Sequence, residues 1–312
     1  MTHPLLEPLT GGDRRALARA LTLIESRGEG FRDLLRGAAP FLGRAHRIGL
    51  TGAPGVGKSS LAAALVKAAR AKDMTVAVLA IDPSSPFSGG ALLGDRVRIT
   101  EHVGDAGVFV RSMASRGALG GLSTAAGDAL DVIDAAGFDL VLIETVGAGQ
   151  VDVEVSHEAD STLVLFAPGA GDAIQAMKSG LMEVADFWIV NKADDERAER
   201  VKTDLIGALS LHEPPENLES RVHLTSAKNE SGVAPLLERL IERRRQMEQT
   251  GVLGGQLRER VRHRVAAAAR DLVAGRMTGP AAETLVDAVL EGERSVHDAA
   301  EAAMAEQAGG ES

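Results

Sequence analysis

Gly52-Ala-Pro-Gly-Val-Gly-Lys58-Ser59-Ser60 stands between an apolar run, Arg47–Leu50, and a helical run, Leu61–Ala71. This is G-x-x-x-x-G-K-S in the setting that gives the pattern meaning, with a strand before it and a helix after it. The loop Gly52, Ala53, Pro54, Gly55, Val56, Gly57 is expected to curl so that its N–H groups face phosphate oxygens. The helix start at Lys58, Ser59 and Ser60 adds a positive field. Lys58 is expected to set its ammonium against the β- and γ-phosphates, and Ser59 to offer its hydroxyl to Mg²⁺.

On both sides of this loop, from His46 to about Gln246, short apolar runs alternate with helical stretches. The runs are Arg47–Leu50, Val76–Ile81, Val108–Val110, Leu140–Ile143, Thr162–Phe166, Phe187–Val190 and Val222–Leu224. Strands buried on both faces read this way, and the helices between them imply right-handed crossovers. The pattern predicts an α/β fold with a doubly wound, mostly parallel sheet spanning residues 46–249. Residues 1–45 read as a helical extension, with Asp13 capping a helix that carries Leu17, Leu21 and Ile24. A second short helix there carries Phe31, Leu34 and Leu35. Residues 250–312 read as a helical arm. The glycine-bearing stretch Thr250–Gly255 suggests a hinge, and Leu257, Val261, Val265, Ala268 and Leu272 recur at helical spacing beyond it. That stripe either covers the main core or pairs with a second subunit.

A second motif, Asn191-Lys-Ala-Asp194, follows the run Phe187–Val190 directly. At the carboxyl end of a parallel strand its side chains face the ligand crevice. The Asp194 carboxylate can accept from the N1–H and 2-amino group of guanine, a donor pair that adenine lacks. Asn191 would steady the loop and the Lys192 stem would cover the base. Ser226, Ala227 and Lys228 follow the last run and fit a contact from the Ala227 N–H to guanine O6. Carboxylates also gather at neighbouring strand ends. Glu144 closes Leu140–Ile143 and opens Glu144-Thr-Val-Gly147, Asp82 closes Val76–Ile81, and Asp95 lies in the loop beyond. Magnesium takes oxygen ligands and keeps several waters, so Ser59 with one or two carboxylates would suffice. Glu144 and Lys58 are the expected catalytic pair. Ala148 stands where a water-positioning glutamine is common, and Gln150 is only close by, which predicts slow hydrolysis raised by a partner. Arg96, Arg98, Arg111 and Arg116 could supply charge to that site, although arginines in such places are usually structural ion pairs.

Composition removes other classes. A formal charge of −10 disfavours nucleic acid and anionic membrane surfaces. The absence of cysteine excludes disulfides and thiolate metal sites and fits a cytoplasmic location. Neither a signal peptide nor a run near ~18 apolar residues is visible, so no membrane association is expected.

The P-loop, Asp82-Pro-Ser-Ser-Pro-Phe-Ser-Gly-Gly-Ala-Leu-Leu-Gly-Asp95, Arg111-Ser-Met-Ala-Ser-Arg-Gly117, Glu144-Thr-Val-Gly-Ala-Gly-Gln150 and Gly180-Leu-Met-Glu-Val-Ala-Asp186 together resemble the MeaB/ArgK G proteins. The resemblance covers about residues 13 to 245 and weakens in the arm. It implies a Mg²⁺-dependent GTPase that homodimerises through C-terminal helices. Such a protein gates cofactor loading and protects or reactivates an adenosylcobalamin-dependent acyl-CoA mutase of the methylmalonyl-CoA type. It also implies that Ser59, Asp82, Asp95 and Glu144 surround magnesium, and that the loop from Ala167 to Lys178 is a further switch with Asp172 and Lys178 as relay candidates. Three alternatives stand beside this one. A P-loop kinase needs an acceptor pocket, for which no residues are nominated. A metal-delivery GTPase usually carries Cys or His clusters, and here the histidines are scattered. A non-catalytic scaffold would have no use for an intact P-loop lysine and base-reading loop.

Overall fold

The computed structural model describes residues 3–82, 104–114, 124–145, 150–169, 181–211, 214–277 and 280–305. It divides into two compact units, Met1–Leu257 and Arg258–Ser312.

The first unit is built on seven strands, all parallel, in the order β3-β2-β4-β1-β5-β6-β7. They are β1 (His46–Gly52), β2 (Val76–Asp82), β3 (Val108–Ala114), β4 (Leu140–Thr145), β5 (Ser161–Phe166), β6 (Phe187–Val190) and β7 (Val222–Leu224). Every residue of β1, β4, β5 and β6 is buried, as expected of parallel strands covered on both sides. The chain leaves β1 toward β2 on one side and later crosses from β4 to β5 on the other. The order therefore reverses at β1, and the carboxyl end of that strand opens a crevice.

Three helices, α1 (Leu6–Thr10), α2 (Arg14–Ser26) and α3 (Phe31–Ala38), precede the sheet. Asp13 Oδ1 accepts from the N–H groups of Arg15 (2.7 Å) and Ala16 (3.2 Å), which is the cap the sequence predicts. These helices are part of the core. Leu9, Leu17, Leu21, Ile24 and Leu34 lie in one apolar cluster with α5 (Thr124–Ala135) and with Leu79, Ile81, Val141 and Ile143 of the sheet. The same face takes α6 (Gln150–Glu158), and Gly49 lets it close in: a Cβ there would lie 2.5 Å from Val155 Cγ1.

The opposite face packs α4 (Lys58–Arg70) against Ile48, Leu50, Leu142 and Leu163. After the short α7 (Leu181–Val184), α8 (Ala198–Leu209) and α9 (Pro215–Glu219) cover Val164, Trp188 and Val190. Helix α10 (Val233–Thr250) then lies beside α4 through Leu236, Leu237 and Leu240.

The amino edge of the sheet is held by charge. Arg47 is fully buried and reaches Asp131 (2.9 Å), Asp134 (3.0 Å) and Glu158 (3.6 Å). Burial alone would lower its pKa, yet Asp131, Asp134 and Glu158 raise it above the ordinary arginine value. Asp134 also accepts from the N–H groups of Gly43, Arg44 and Ala45 at 2.8 to 3.0 Å, which ties the N-terminal helices to α5. Next to it, Arg244 on α10 donates to the carbonyls of Gly43 and Ala45.

Gly251 caps α10 in the left-handed region, and α11 (Val252–Arg276) starts at once, with Gly254 and Gly255 inside it. The unit boundary falls within α11. The second unit continues with α12 (Pro280–Leu290) and α13 (Val296–Ala305), where Ala282, Ala299 and Ala303 are buried. Large apolar side chains stand exposed here, Val261, Val265, Leu272, Val286, Leu290 and Val296 among them. No helix among the described residues is long and apolar enough to cross a membrane.

Candidate functional site

Gly52 ends β1 at φ 135°, and a Cβ on it would stand 2.4 Å from the Leu165 carbonyl oxygen of β5, so only glycine fits. The chain then turns through Ala53, Pro54, Gly55 (φ 79°) and Val56 to Gly57 (φ 95°), which caps α4. The first turn of α4 holds Lys58, Ser59 and Ser60, and the Gly57 cap makes no side-chain hydrogen bond to it. Lys58 is nearly buried, and its ammonium donates to the carbonyl oxygens of Gly52 (2.5 Å) and Ala53 (3.3 Å). The amine therefore lies folded over the loop it is expected to serve.

Asn191 connects this loop to the base-reading side. It is 1% exposed, and its Nδ2 donates to Val56 O at 2.9 Å, with Gly57 O farther off at 3.4 Å. Its Oδ1 accepts from the Ala227 N–H and the Thr225 hydroxyl, both at 3.3 Å. One side-chain amide thus links the P-loop, the end of β6 and the loop after β7. Lys192 adds a second tie: its backbone is left-handed at φ 59°, and its ammonium donates to Gly55 O at 2.7 Å.

Asp194 stands in the open part of the crevice. Ser226 Oγ donates to its Oδ1 at 2.7 Å, and Lys228 lies 3.8 Å from its other oxygen. The Ser226 hydroxyl, a backbone N–H and then Lys228 hold its carboxyl below the usual range. Asp194 is therefore an ionised acceptor at neutral pH. The next residue, Asp195, grips Arg197 through two oxygens and is held at about 2.

The Ser59 hydroxyl donates to the Glu144 carboxylate in a short contact, and both groups are buried. Glu144 sits between Leu50 of β1 and Ala80 of β2 in register, at the base of the crevice. Two hard oxygen donors meet there, which is the donor chemistry magnesium takes. Among the described residues no group of three or more His, Asp or Glu forms a metal cage. Of the other expected ligands, Asp82 ends β2 in register with Ala114 of β3, with only its backbone described, and Asp95 lies outside the described residues. Asp172 and Lys178 lie outside them too, as do Arg96, Arg98 and Arg116. Gln150 opens α6, again with only its backbone described. Arg111 is engaged elsewhere, paired with Glu25 of α2 at 2.6 Å.

Sequence reading missed Thr225 and Gly232. Gly232 starts α10 at φ 73°, and a Cβ on it would lie 2.0 Å from Leu224 O. Its position just past the Ser226–Lys228 loop and just before a helix was the available signal.

The family model of the methylmalonyl-CoA mutase-associated GTPase MeaB matches residues 17–282. A Pyrococcus abyssi protein named provisionally as a GTPase is 42% identical, over 89% of this chain and 86% of its own length. The Escherichia coli GTPase ArgK is 41% identical over 60% of this chain and 58% of its own. A mouse mitochondrial protein, the methylmalonic aciduria type A homolog, is 32% identical over 82% of this chain and 66% of its own. Among solved structures, a LAO/AO transport system kinase superposes with a TM-score of 0.71 at 25% identity, covering 96% of this chain and 95% of the other.

Proposed function

The chain belongs to the MeaB family of mutase-associated GTPases, and from that premise we propose that it binds and hydrolyses magnesium GTP to gate an adenosylcobalamin-dependent acyl-CoA mutase. The observation that supports the nucleotide half is Asn191, whose one amide joins the loop assigned to phosphate to the loop assigned to guanine. The mutase half rests on the family and on relatives such as the mouse protein.

In this reading the amides of Gly52–Ser60 and the Lys58 ammonium bind the triphosphate. Lys58 exchanges the Gly52 and Ala53 carbonyls for phosphate oxygens. Asp194 takes the guanine N1–H and 2-amino group, the Ala227 N–H takes O6, and Lys192 covers the base. Ser59 and Glu144 would hold magnesium, together with Asp82 and Asp95. When bound, the ion neutralises charge on the β- and γ-oxygens. Glu144 also orients Ser59, and the buried floor around it keeps bulk water from the phosphates. Gln150, Asp172 and Lys178 are assigned to the switches that sense a partner. The exposed apolar side chains on both α11 and α12–α13 support a homodimer formed through residues 250–312.

GTP turnover by the purified protein, alone and with a methylmalonyl-CoA-type mutase from the same source, tests the proposal. Slow turnover that rises many-fold with the mutase supports it; no response to any such mutase removes the chaperone role and leaves the GTPase. The name of the superposed kinase raises a second reading, phosphotransfer to a small acceptor. A phosphorylated product in an acceptor screen would establish that instead.

A further inference from the structure

Four residues other than glycine take a left-handed backbone among the described residues: Arg27, Asp73, Lys192 and Glu230. Two of these, Lys192 and Glu230, lie in the loops assigned to the base. A left-handed backbone is costly for a residue with a Cβ and persists where the surroundings hold it, often at functional loops. Glu230, at φ 62°, belongs to a closed ring. The Ser226 N–H donates to Ser231 O at 2.9 Å, and Asn229 Oδ1 accepts from the Ser231 N–H at 3.2 Å. Gly232 then locks the ring's exit against Leu224 O. The ring carries Ala227, and two ion pairs tie it to its surroundings: Lys228 with Asp194, and the Glu230 carboxylate with the Lys67 ammonium on α4.

Lys67 lies about two turns beyond Ser59 on the helix that begins at the phosphate loop. Glycine would adopt this backbone without cost, but it would lack a carboxylate to reach α4. The two side chains are 57% and 52% exposed, too wet for the pair to contribute much to global stability. Its effect is local, on the placement of the ring.

We infer that Lys67 and Glu230 are positioning residues for base selection, a strut that sets the Ala227 N–H at its height above the phosphate-binding helix. The inference rests on the guanine reading given above.

The test compares the wild type with Lys67→Ala, Glu230→Ala, Glu230→Gly and the swapped pair Lys67→Glu with Glu230→Lys. The Kd values for GTP, ITP and ATP are measured by competition with a fluorescent GDP analogue, and the Tm of each free protein is recorded. GTP and ITP share O6, while only GTP carries the 2-amino group assigned to Asp194. Each single variant should lose about 2- to 5-fold for GTP and ITP alike, the range an exposed ion pair supplies. The GTP-to-ITP ratio should stay at the wild-type value, and the swapped pair should recover the loss. Glu230→Gly separates positioning from stability: it should weaken GTP while raising Tm, because glycine relieves the left-handed backbone. Unchanged GTP and ITP affinities, a loss confined to GTP, or no recovery in the swapped pair would each overturn the strut. A wild type that binds ATP as tightly as GTP would instead sink the guanine reading, and the strut with it.

Discussion

Replacing Asn191 with alanine removes the amide that joins the two halves of the candidate site. Two backbone groups lose their partner, the Val56 carbonyl at 2.9 Å and the Ala227 N–H at 3.3 Å. Val56 is 1% exposed, so its carbonyl cannot simply turn to water. The Ala227 N–H is half-buried and can turn to water or to the base, so the orphaned Val56 carbonyl sets the cost, about 1–3 kcal/mol. In the free variant the loop that holds Val56 can relax to solvate this carbonyl, and nucleotide binding must undo that relaxation, so the cost falls mainly on binding. GTP affinity should drop by about fivefold or more on that scale, while the free protein still unfolds cooperatively. Titration calorimetry with GTP and a thermal melt of the same sample measure both. A Kd within threefold of wild type would refute the bridge, and so would a large fall in Tm with binding intact. Asn191→Asp sharpens the test because it keeps the shape but turns an oxygen toward Val56 O. Burial and that carbonyl both disfavour the carboxylate, so its folded pKa rises above the unfolded value. The acid form can donate where Nδ2 did. Binding by Asn191→Asp should therefore be present at low pH and be lost as pH rises through the raised pKa, with no such trend in Asn191→Ala.

Arg47→Met leaves Asp131, Asp134 and Glu158 buried without their cation and should cost about 3–5 kcal/mol, seen as a lower urea midpoint. A loss below about 1 kcal/mol would mean that protons or water replace the guanidinium. Burial, opposed by Asp160 and assisted by Arg244 and Arg243, holds the His46 imidazole down at about 4. The unfolded chain takes up that proton first, so stability is lost as pH falls from about 6.5 to about 4, by about 3 kcal/mol. Urea titrations across that range should show the slope in the wild type and a flatter one in His46→Gln. Gly232→Ala places a Cβ 2.0 Å from a backbone carbonyl that cannot yield. It should displace the Ala227 loop and weaken GTP by about tenfold, and unaltered affinity would show that the loop does not hold the base.

All seven strands were legible as Val/Ile/Leu runs, because burial on both faces leaves little room for polar residues. The edge strand was the hardest to bound. β3 runs on to Ala114, past Arg111 and Ser112, where a polar residue is tolerated because Arg111 can reach Glu25. Helix α1 gave no periodic signal, being five residues long with Pro8 inside it. Nor could spacing show that Leu9, Leu17 and Leu21 complete the core of the sheet, since amphipathic helices do not name the surface they cover. Thr250–Gly255 read as a hinge, whereas only Gly251 takes a left-handed backbone and Gly254 and Gly255 stay helical, within what a helix tolerates. At the site, each motif was legible alone. Their joining was not, because Val56 and Asn191 are far apart in sequence and meet only through the order of β1, β5 and β6.

The place of β1 at the centre of the sheet has a consequence for how the protein is made. Both neighbours of β1 lie far downstream, β4 from Leu140 and β5 from Ser161. This strand therefore waits, with Ile48 and Leu50 uncovered, until residues 140–166 have been made. Pairing between such distant segments is slow and leaves sticky surface exposed meanwhile. Once formed, that strand has no free edge, and its amides should be among the last to exchange with solvent. The phosphate loop hangs from the end of a strand that is paired late and, once paired, is held on both sides.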